Sequence, residues 1–316
     1  MTGESEVPPS GELPKAELHA LMGRNDRAAS IHVLVSLIVF VAGGVAAAEL
    51  GSAGSSLWIV AAILCGGALT TFFPALHECG HRTAFRAPWL NDVVTAVCAF
   101  LMLQAPSFFR EFHWEHHRST QDREKDPEIA GAPALLDGWA TNPIVYLGLA
   151  CGQMLMVGKA FFTISSALMP SASAWEHALP FIRADRRSRV AWESRLVLLL
   201  WAALLAGGVH YVDGFLYVLS AWPIAHLFLG LYLMAEHTGL PNTGTQIERT
   251  RTVTSNAALR WLMWNMPLHT AHHAYPAVPF HQVPALHAQM RPALLHVSAG
   301  YLAFHREALA RAFRLR

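Results

Sequence analysis

Residues 264–276 read WNMPLHTAHHAYP, and the run HTAHH at their centre places three histidines within five positions. In a helix, His269, His272 and His273 stand at i, i+3 and i+4, so that their imidazoles lie on one face. Neutral imidazole is the commonest side-chain ligand of transition metals in proteins. The stretch therefore predicts a short helix that presents three nitrogen ligands to a single point.

Three further histidine motifs precede this stretch. HECGH at 77–81 places two histidines four residues apart, HWEHH at 113–117 repeats the H-x-x-H-H spacing, and His237 ends a long apolar run. A lone histidine is most often a packed or surface residue, whereas three clusters at helical spacing beside apolar segments favour metal ligation. Because so many imidazoles exceed the coordination capacity of one ion, the sequence predicts two metal ions. Nine of the 18 histidines are then candidate ligands: His77, His81, His113, His116, His117, His237, His269, His272 and His273.

The composition is that of a membrane protein. Only 14% of the residues are charged and 53% are hydrophobic, whereas a soluble domain carries roughly 25% charged residues. The formal net charge of +1 and the absence of a basic patch with interleaved aromatics argue against nucleic-acid binding. The four cysteines form no C-x-x-C pair, which argues against an iron–sulfur cluster, a zinc ribbon or a disulfide framework.

Two pairs of apolar runs predict four membrane crossings. The first pair covers 31–50 and 57–76, the second covers 196–212 and 215–235, and each run is long enough to cross a bilayer. Basic residues precede the first crossing and recur between 183 and 195, so the positive-inside rule places both segments in the cytoplasm. Every histidine cluster then lies on the cytoplasmic side.

Two more apolar segments, 90–109 and 142–169, are expected to be re-entrant or interfacial, since a single crossing in either would separate the clusters. The predicted fold is an all-α integral membrane protein. It has four transmembrane helices in two hairpins, interfacial or re-entrant helices and a cytoplasmic histidine-rich cap. The predicted division is a polar N-terminal tail at 1–30, a membrane domain at 31–290 and a C-terminal cytoplasmic helix or tail at 291–316.

The chemistry of the candidate ligands narrows the choice of metal ion. Neutral nitrogen ligands without thiolates suit iron, copper or zinc rather than magnesium or calcium. Histidines that bind metals usually donate their second ring N–H to a carboxylate or a carbonyl. The acidic residues beside the motifs, Glu78, Glu115, Asp126 and Glu236, are candidates for that role. His226 lies within the last apolar run and is interpreted as a packed histidine rather than a ligand.

The motifs resemble the three histidine boxes of the membrane-bound fatty acid desaturase and hydroxylase superfamily. HECGHRTAF at 77–85 is similar to the first box, HWEHH to the second and HTAHH to the third. Glu236-His237-x-Gly is similar to an additional motif of membrane alkane hydroxylases. However, the second box is one residue shorter than theirs, which disfavours alkane hydroxylation.

The resemblance implies a di-iron centre ligated by the nine histidines, with O₂ and two electrons consumed in each turnover. It implies abstraction of hydrogen from an unactivated C–H bond of a lipid acyl chain, with desaturation favoured over hydroxylation. No electron-delivery domain is visible in the sequence, so electrons are expected from a separate ferredoxin or rubredoxin and its reductase. The expected location is a multi-pass membrane, the inner membrane if the cell is bacterial, with the active site on its cytoplasmic side.

Other functions remain open at this point. Within the superfamily, the chain could be a hydroxylase or ketolase of a carotenoid, an alkane or a small metabolite. A non-enzymatic metal transporter or sensor is a second class. Transporters place their ionisable ligands near the bilayer midplane, whereas these histidines lie at the ends of the apolar runs, so the sequence favours the enzyme.

Overall fold

The computed structural model describes residues 13–132 and 142–314. Its first seven helices are α1 (Lys15–Leu21), α2 (Asp26–Ser52), α3 (Trp58–His81), α4 (Pro88–Leu101), α5 (Pro106–Ser119), α6 (Pro143–Ala150) and α7 (Gln153–Leu168). The next five are α8 (Ala172–Ala178), α9 (Arg187–Tyr211), α10 (Phe215–Leu219), α11 (Ala221–His237) and α12 (Gln246–Arg249). The C-terminal part holds β1 (Thr252–Val253), α13 (Ala257–Leu262), α14 (His269–Ala274), α15 (Val283–Met290), β2 (Val297–Ser298) and α16 (Tyr301–Ala312).

Among the described residues, four helical stretches are long and apolar enough to cross a membrane. They are Asp26–Ser52 (α2), Trp58–His81 (α3), Ala184–Tyr211 (α9 with the short 3₁₀ turn before it) and Phe215–His237 (α10 with α11). The outward faces of α2 and α9 are apolar, with Ile38 and Leu199 more than half exposed. A mostly helical chain with four to six candidate spans is thus confirmed. The arrangement in two hairpins, the cytoplasmic cap and the division into three parts stay predictions.

The two segments expected to be re-entrant or interfacial are both bent pairs of helices. The axes of α4 and α5 differ by 96°, and those of α6 and α7 by 63°. Gly152 forms the second break with a φ of +69°, and a Cβ there would lie 1.6 Å from the carbonyl oxygen of His226 on α11. Only glycine fits, because the backbone is left-handed and touches a neighbouring helix.

Helix α3 is the centre of the packed core. It contacts α2, α4, α5 and α11, and Leu69 and Leu76 on it are fully buried. Arg82 ends the helix in the left-handed region with a φ of 60°, and its guanidinium donates to Asp92 on α4. The last turn of α3, which carries the first histidine motif, is therefore fixed by the core on one side and by this ion pair on the other.

The C-terminal part adds a feature that the all-α prediction lacks. Strand β1 pairs in parallel with β2 over two residues on each, and Val253 N–H donates to the Pro267 carbonyl just before α14. The pairing holds the chain that precedes the third histidine motif. Within the predicted N-terminal tail, residues 1–12 lie outside the described residues, whereas Leu13 and Leu21 are buried against the cluster that contains α15.

Candidate metal centre

All four histidine motifs lie at helix ends that meet in one place. His77 and His81 occupy the last turns of α3, the HWEHH motif ends α5, His237 ends α11 and the HTAHH motif forms α14. The helical prediction for both H-x-x-H-H motifs is therefore confirmed. Eight of the nine imidazoles belong to buried residues, and His81 belongs to a half-buried one.

The nine histidines separate into two groups, within each of which the potential ligand atoms lie within 4.8 Å of one another. Cluster A consists of five residues: His77, His81, His113, His117 and His272. Cluster B consists of four residues: His116, His237, His269 and His273. The structure thus brings together all nine histidines that the sequence analysis selected.

The expectation that the three histidines of 269–273 serve a single point is wrong. In α14, His269 and His273 belong to cluster B and His272 to cluster A, whereas in α5 the i and i+4 histidines join cluster A and His116 joins cluster B. The reason is helical geometry. Residues i and i+4 are about 40° apart around the axis, whereas i+3 lies about 60° to the other side of i. Each of these helices therefore stands between the two clusters and contributes to both.

The residues of both clusters fit a transition-metal ion. Nε2 of His113 lies 2.9 Å from Nε2 of His81 and 3.0 Å from that of His117, and two facing imidazole nitrogens can share only one proton. Burial lowers the pKa of His269, His272 and His273 well below the usual histidine value, which keeps these rings neutral and able to ligate. A buried group of converging imidazole nitrogens is the donor set that iron, copper or zinc binds.

Hydrogen bonds orient the rings of cluster B. His116 Nδ1 lies 3.0 Å from Asp126 Oδ1, and His237 Nδ1 lies 2.9 Å from the Arg249 carbonyl oxygen. These partners accept the Nδ1 proton and leave Nε2 free to bind a metal.

In the third ring of cluster B, that of His273, the acceptor for the Nδ1 proton is a hydroxyl oxygen. Thr120 donates its hydroxyl proton to the His116 carbonyl oxygen at 2.7 Å, so its oxygen is left to accept from His273 Nδ1 at 3.3 Å. His273 Nε2 has no hydrogen-bond partner among the described residues, as expected of a ligand atom. The fourth ring, His269, has Glu236 Oε1 at 3.4 Å from its Nδ1.

Among the described residues, the carboxylate of Glu78 lies beside cluster A. Glu78 is fully buried, and its Oε1 lies 4.0 Å from His77 Nδ1 and 3.9 Å from His272 Nδ1. Its second oxygen accepts from the Thr83 hydroxyl at 2.9 Å and from the Phe280 N–H at 3.0 Å. The carboxylate is thereby held between α3 and the chain that follows α14.

Three of the four carboxylates chosen from the sequence, Glu78, Asp126 and Glu236, therefore lie beside the histidines. The fourth, Glu115, instead pairs with Arg118 at 2.6 Å and with the Ser119 hydroxyl at 2.7 Å. On a helix the residue between two ligand positions faces away from them. His226 belongs to neither cluster, because it lies eleven residues before His237 on α11 and so is several helical turns away from it. Its Nδ1 donates to the Trp222 carbonyl oxygen at 2.8 Å.

Sequence reasoning missed three partners of cluster B. Glu128 Oε2 lies 3.6 Å from His116 Nδ1, and neither Thr120 nor the Arg249 carbonyl stands in a recognisable motif. Glu128 is two residues from Asp126, which is the only signal that could have suggested it. A backbone carbonyl leaves no signal in a sequence at all.

The connection between α11 and β1 donates hydrogen bonds to the ends of two histidine-bearing helices, α5 and α11. Gln246 donates to the His117 carbonyl oxygen and Arg249 to that of Thr120, each at 2.7 Å, at the end of α5. Arg251 donates through its guanidinium to the Ala235 carbonyl oxygen at 2.8 Å, at the end of α11. These bonds satisfy carbonyls that a helix end leaves without partners.

A cavity of about 710 Å³ reaches both clusters. Its histidine wall is formed by His77 and His113 of cluster A and by three members of cluster B. The cavity is also lined by exposed polar residues such as Arg123 and Asn242 and by the rings of Phe73, Phe108 and Phe162. A molecule with both polar and apolar parts therefore finds partners for both in a cavity whose wall includes the histidines.

Comparison with known proteins agrees with this geometry. The family described as "Fatty acid desaturase" matches residues 53–305. A β-carotene ketolase of Haematococcus lacustris is 26% identical over 252 residues, which are 76% of this chain and 65% of the relative. The sphingolipid delta(4)-desaturase DES1 of Drosophila melanogaster is 26% identical over 241 residues, which are 72% of this chain and 64% of the relative.

A shorter match adds a lipid-acting relative. An sn-1 oleoyl-lipid 12-desaturase of Anabaena variabilis is 31% identical over 103 residues, 33% of this chain and 29% of the relative. The chain spans slightly less than two thirds of the length of the ketolase and of the sphingolipid desaturase. Because one family match covers most of the chain and contains all four histidine motifs, this protein belongs to the fatty acid desaturase family.

Proposed function

We propose that this chain is a membrane-bound, O₂-dependent di-iron oxidoreductase that introduces a double bond into a lipid acyl chain. The observation that carries the proposal is the pair of histidine clusters on the wall of a partly apolar cavity. Desaturation converts CH₂–CH₂, O₂, two electrons and two protons into CH=CH and two water molecules. The electrons come from a separate donor of the ferredoxin or rubredoxin type and its reductase.

Cluster A would hold one iron and cluster B the other. When bound, the two irons would supply the oxidising chemistry that removes hydrogen from an unactivated C–H bond. The protein's own contribution is to bury the ligands away from water, to fix their rings through neighbours such as Asp126, and to hold the acyl chain in the cavity. Positioning of one carbon against the reactive site is a large part of the catalytic effect.

Hydroxylation or ketone formation on another hydrophobic substrate is the second candidate. Two β-carotene ketolases of Haematococcus lacustris are 26% identical to this chain over 252 residues, which are 76% of this chain. The sphingolipid delta(4)-desaturase DES1 matches 72% of this chain at the same identity. Both kinds of reaction begin with removal of hydrogen from carbon, so the same ligands serve either. A metal transporter is disfavoured because the ligands lie at helix ends rather than in the middle of the apolar segments.

The membrane orientation follows from the same proposal. The histidine-bearing ends of the apolar helices face the cytoplasm, where soluble electron carriers have access, and in a bacterial cell the membrane is the inner one. Arginines at the start of α9 lie on the same side and agree with this orientation.

The test is product analysis in cells that express the full chain with a ferredoxin and its reductase. We expect mass spectrometry to detect an unsaturated lipid that is absent from cells expressing His269→Ala. The purified protein should contain about two irons per chain, one for each cluster. Identical lipid profiles for the two chains would overturn the proposal, and an oxygenated product would replace desaturation with the second candidate.

A further inference from the structure

One charged side chain in the cavity has no role in the metal centre. Lys159 lies on α7, is only 8% exposed and lines the cavity. Its Nζ lies 5.7 Å from the centre of the Phe73 ring and 4.0 Å from Met102 Sδ. The ammonium group is therefore surrounded by weak partners, an aromatic face and a thioether.

Within the ranges 13–132 and 142–314, no carboxylate pairs with this ammonium group, and its close neighbours are the Phe73 ring and Met102 Sδ. The ammonium group interacts electrostatically with the imidazole of His226 on α11. An imidazole supplies no negative charge. A buried cation without a counter-ion is costly, and ionisable residues in the apolar part of a membrane protein usually mark a substrate or ion site. The cavity is the place from which a counter-ion can come.

The position of Lys159 relates it to the metal centre. The Phe73 ring, over which the ammonium lies, is 6.3 Å from the His77 ring of cluster A. Phe73, His77 and Lys159 all line the same cavity. A molecule bound by the ammonium therefore lies along the wall that carries the ligands.

We propose that Lys159 binds the carboxylate of the substrate, so that the cavity selects a free hydrophobic carboxylic acid over its ester or a hydrocarbon. This deepens the proposed function and rests on it for the reaction that follows binding. A carboxylate forms a charge-assisted hydrogen bond with the ammonium and supplies the missing negative charge. An ester or a hydrocarbon leaves the cation buried and unpaired.

The test is binding of dansyl-labelled undecanoic acid and of its methyl ester to the purified full-length protein in detergent, followed by dansyl fluorescence. We expect the wild-type protein to bind the acid at least about tenfold more tightly than the ester, as charged hydrogen bonds allow. Lys159→Met should lose this preference and keep the affinity for the ester. Lys159→Arg should keep most of the preference, because it keeps the charge.

Lys15→Met, which removes an exposed lysine on α1, is the matched control and should bind like the wild type. Equal binding of acid and ester by the wild type, or an unchanged preference in Lys159→Met, would overturn the proposal. Loss of both probes in Lys159→Met would also overturn it, by assigning the residue to packing alone. The measurement needs no turnover, so a failure of the desaturase proposal leaves its result intact.

Discussion

The two histidine clusters are built from the same residue type, yet their rings are held in different ways. In cluster B, three of the four rings have a hydrogen-bond partner on Nδ1: Asp126 for His116, the Arg249 carbonyl for His237 and Thr120 for His273. In cluster A, Nδ1 of four of the five rings has no hydrogen-bond partner among the described residues, namely His77, His81, His117 and His272.

Packing takes the place of hydrogen bonds in cluster A. The His113 ring stacks on Phe109 with centroids 5.3 Å apart and an interplanar angle of 8°, and His81 meets the Trp114 ring edge-on at 4.8 Å. Among the residues that the structure describes, Glu78 is the carboxylate beside this cluster, at 3.9–4.0 Å. Hydrogen bonds therefore orient the imidazole rings of cluster B, whereas packing against aromatic rings orients those of cluster A. Substitutions should affect the two clusters differently.

Removal of a ligand should have the largest effect and should be greater in cluster B. We expect His269→Ala, which leaves three imidazoles, to lose the ion of cluster B and more than about 100-fold of the activity. His272→Ala leaves four imidazoles in cluster A and should retain more of its ion. Metal analysis of the two purified variants measures the contrast, and retention of both ions in His269→Ala would contradict the assignment of cluster B.

Removal of the carboxylate beside each cluster should have the next largest effect, and the loss of metal affinity should differ between the clusters. Asp126→Asn cannot accept from His116 as a charged partner, and we expect about 10–100-fold weaker metal binding at cluster B. Glu78→Gln should cost cluster A no more than about tenfold, since its carboxylate is not within hydrogen-bond distance of either ring. Competition with a chelator measures both affinities, and a larger effect for Glu78→Gln would reverse the comparison.

Loss of a single neutral hydrogen bond should have the smallest measurable effect. Thr120→Val keeps the shape of the side chain but removes the acceptor for His273 Nδ1, at a cost of about 0.5–1.5 kcal/mol in metal binding. The matched control is Glu115→Gln, which changes a carboxylate on the opposite side of α5 and should leave metal affinity within about twofold. An equal loss in both variants would show that the effect arises from α5 as a whole.

Local spacing was enough to select eight of the nine histidines, and the length of the apolar runs was enough to predict the long helices, whereas His237 was selected from its place at the end of an apolar run. A helix repeats every 3.6 residues, so H-x-x-H-H reveals a shared face wherever it occurs, and twenty apolar residues reveal a span without knowledge of its neighbours. The same spacing does not imply that the three histidines of 269–273 converge on one point. His272 and His273 differ by about 100° around α14, enough to direct adjacent residues to different clusters.

The sequence by itself therefore determined the fold class, the family and the residues available to bind metal, because each is written in short-range pattern. Only the tertiary structure decided which histidine belongs to which cluster, that Asp126 rather than Glu115 lies beside a clustered histidine, and that Lys159 lies in the cavity. These facts depend on contacts between α3, α5, α11 and α14, which are up to about two hundred residues apart in the chain. Their distances are set by packing of the core, and no local spacing encodes them.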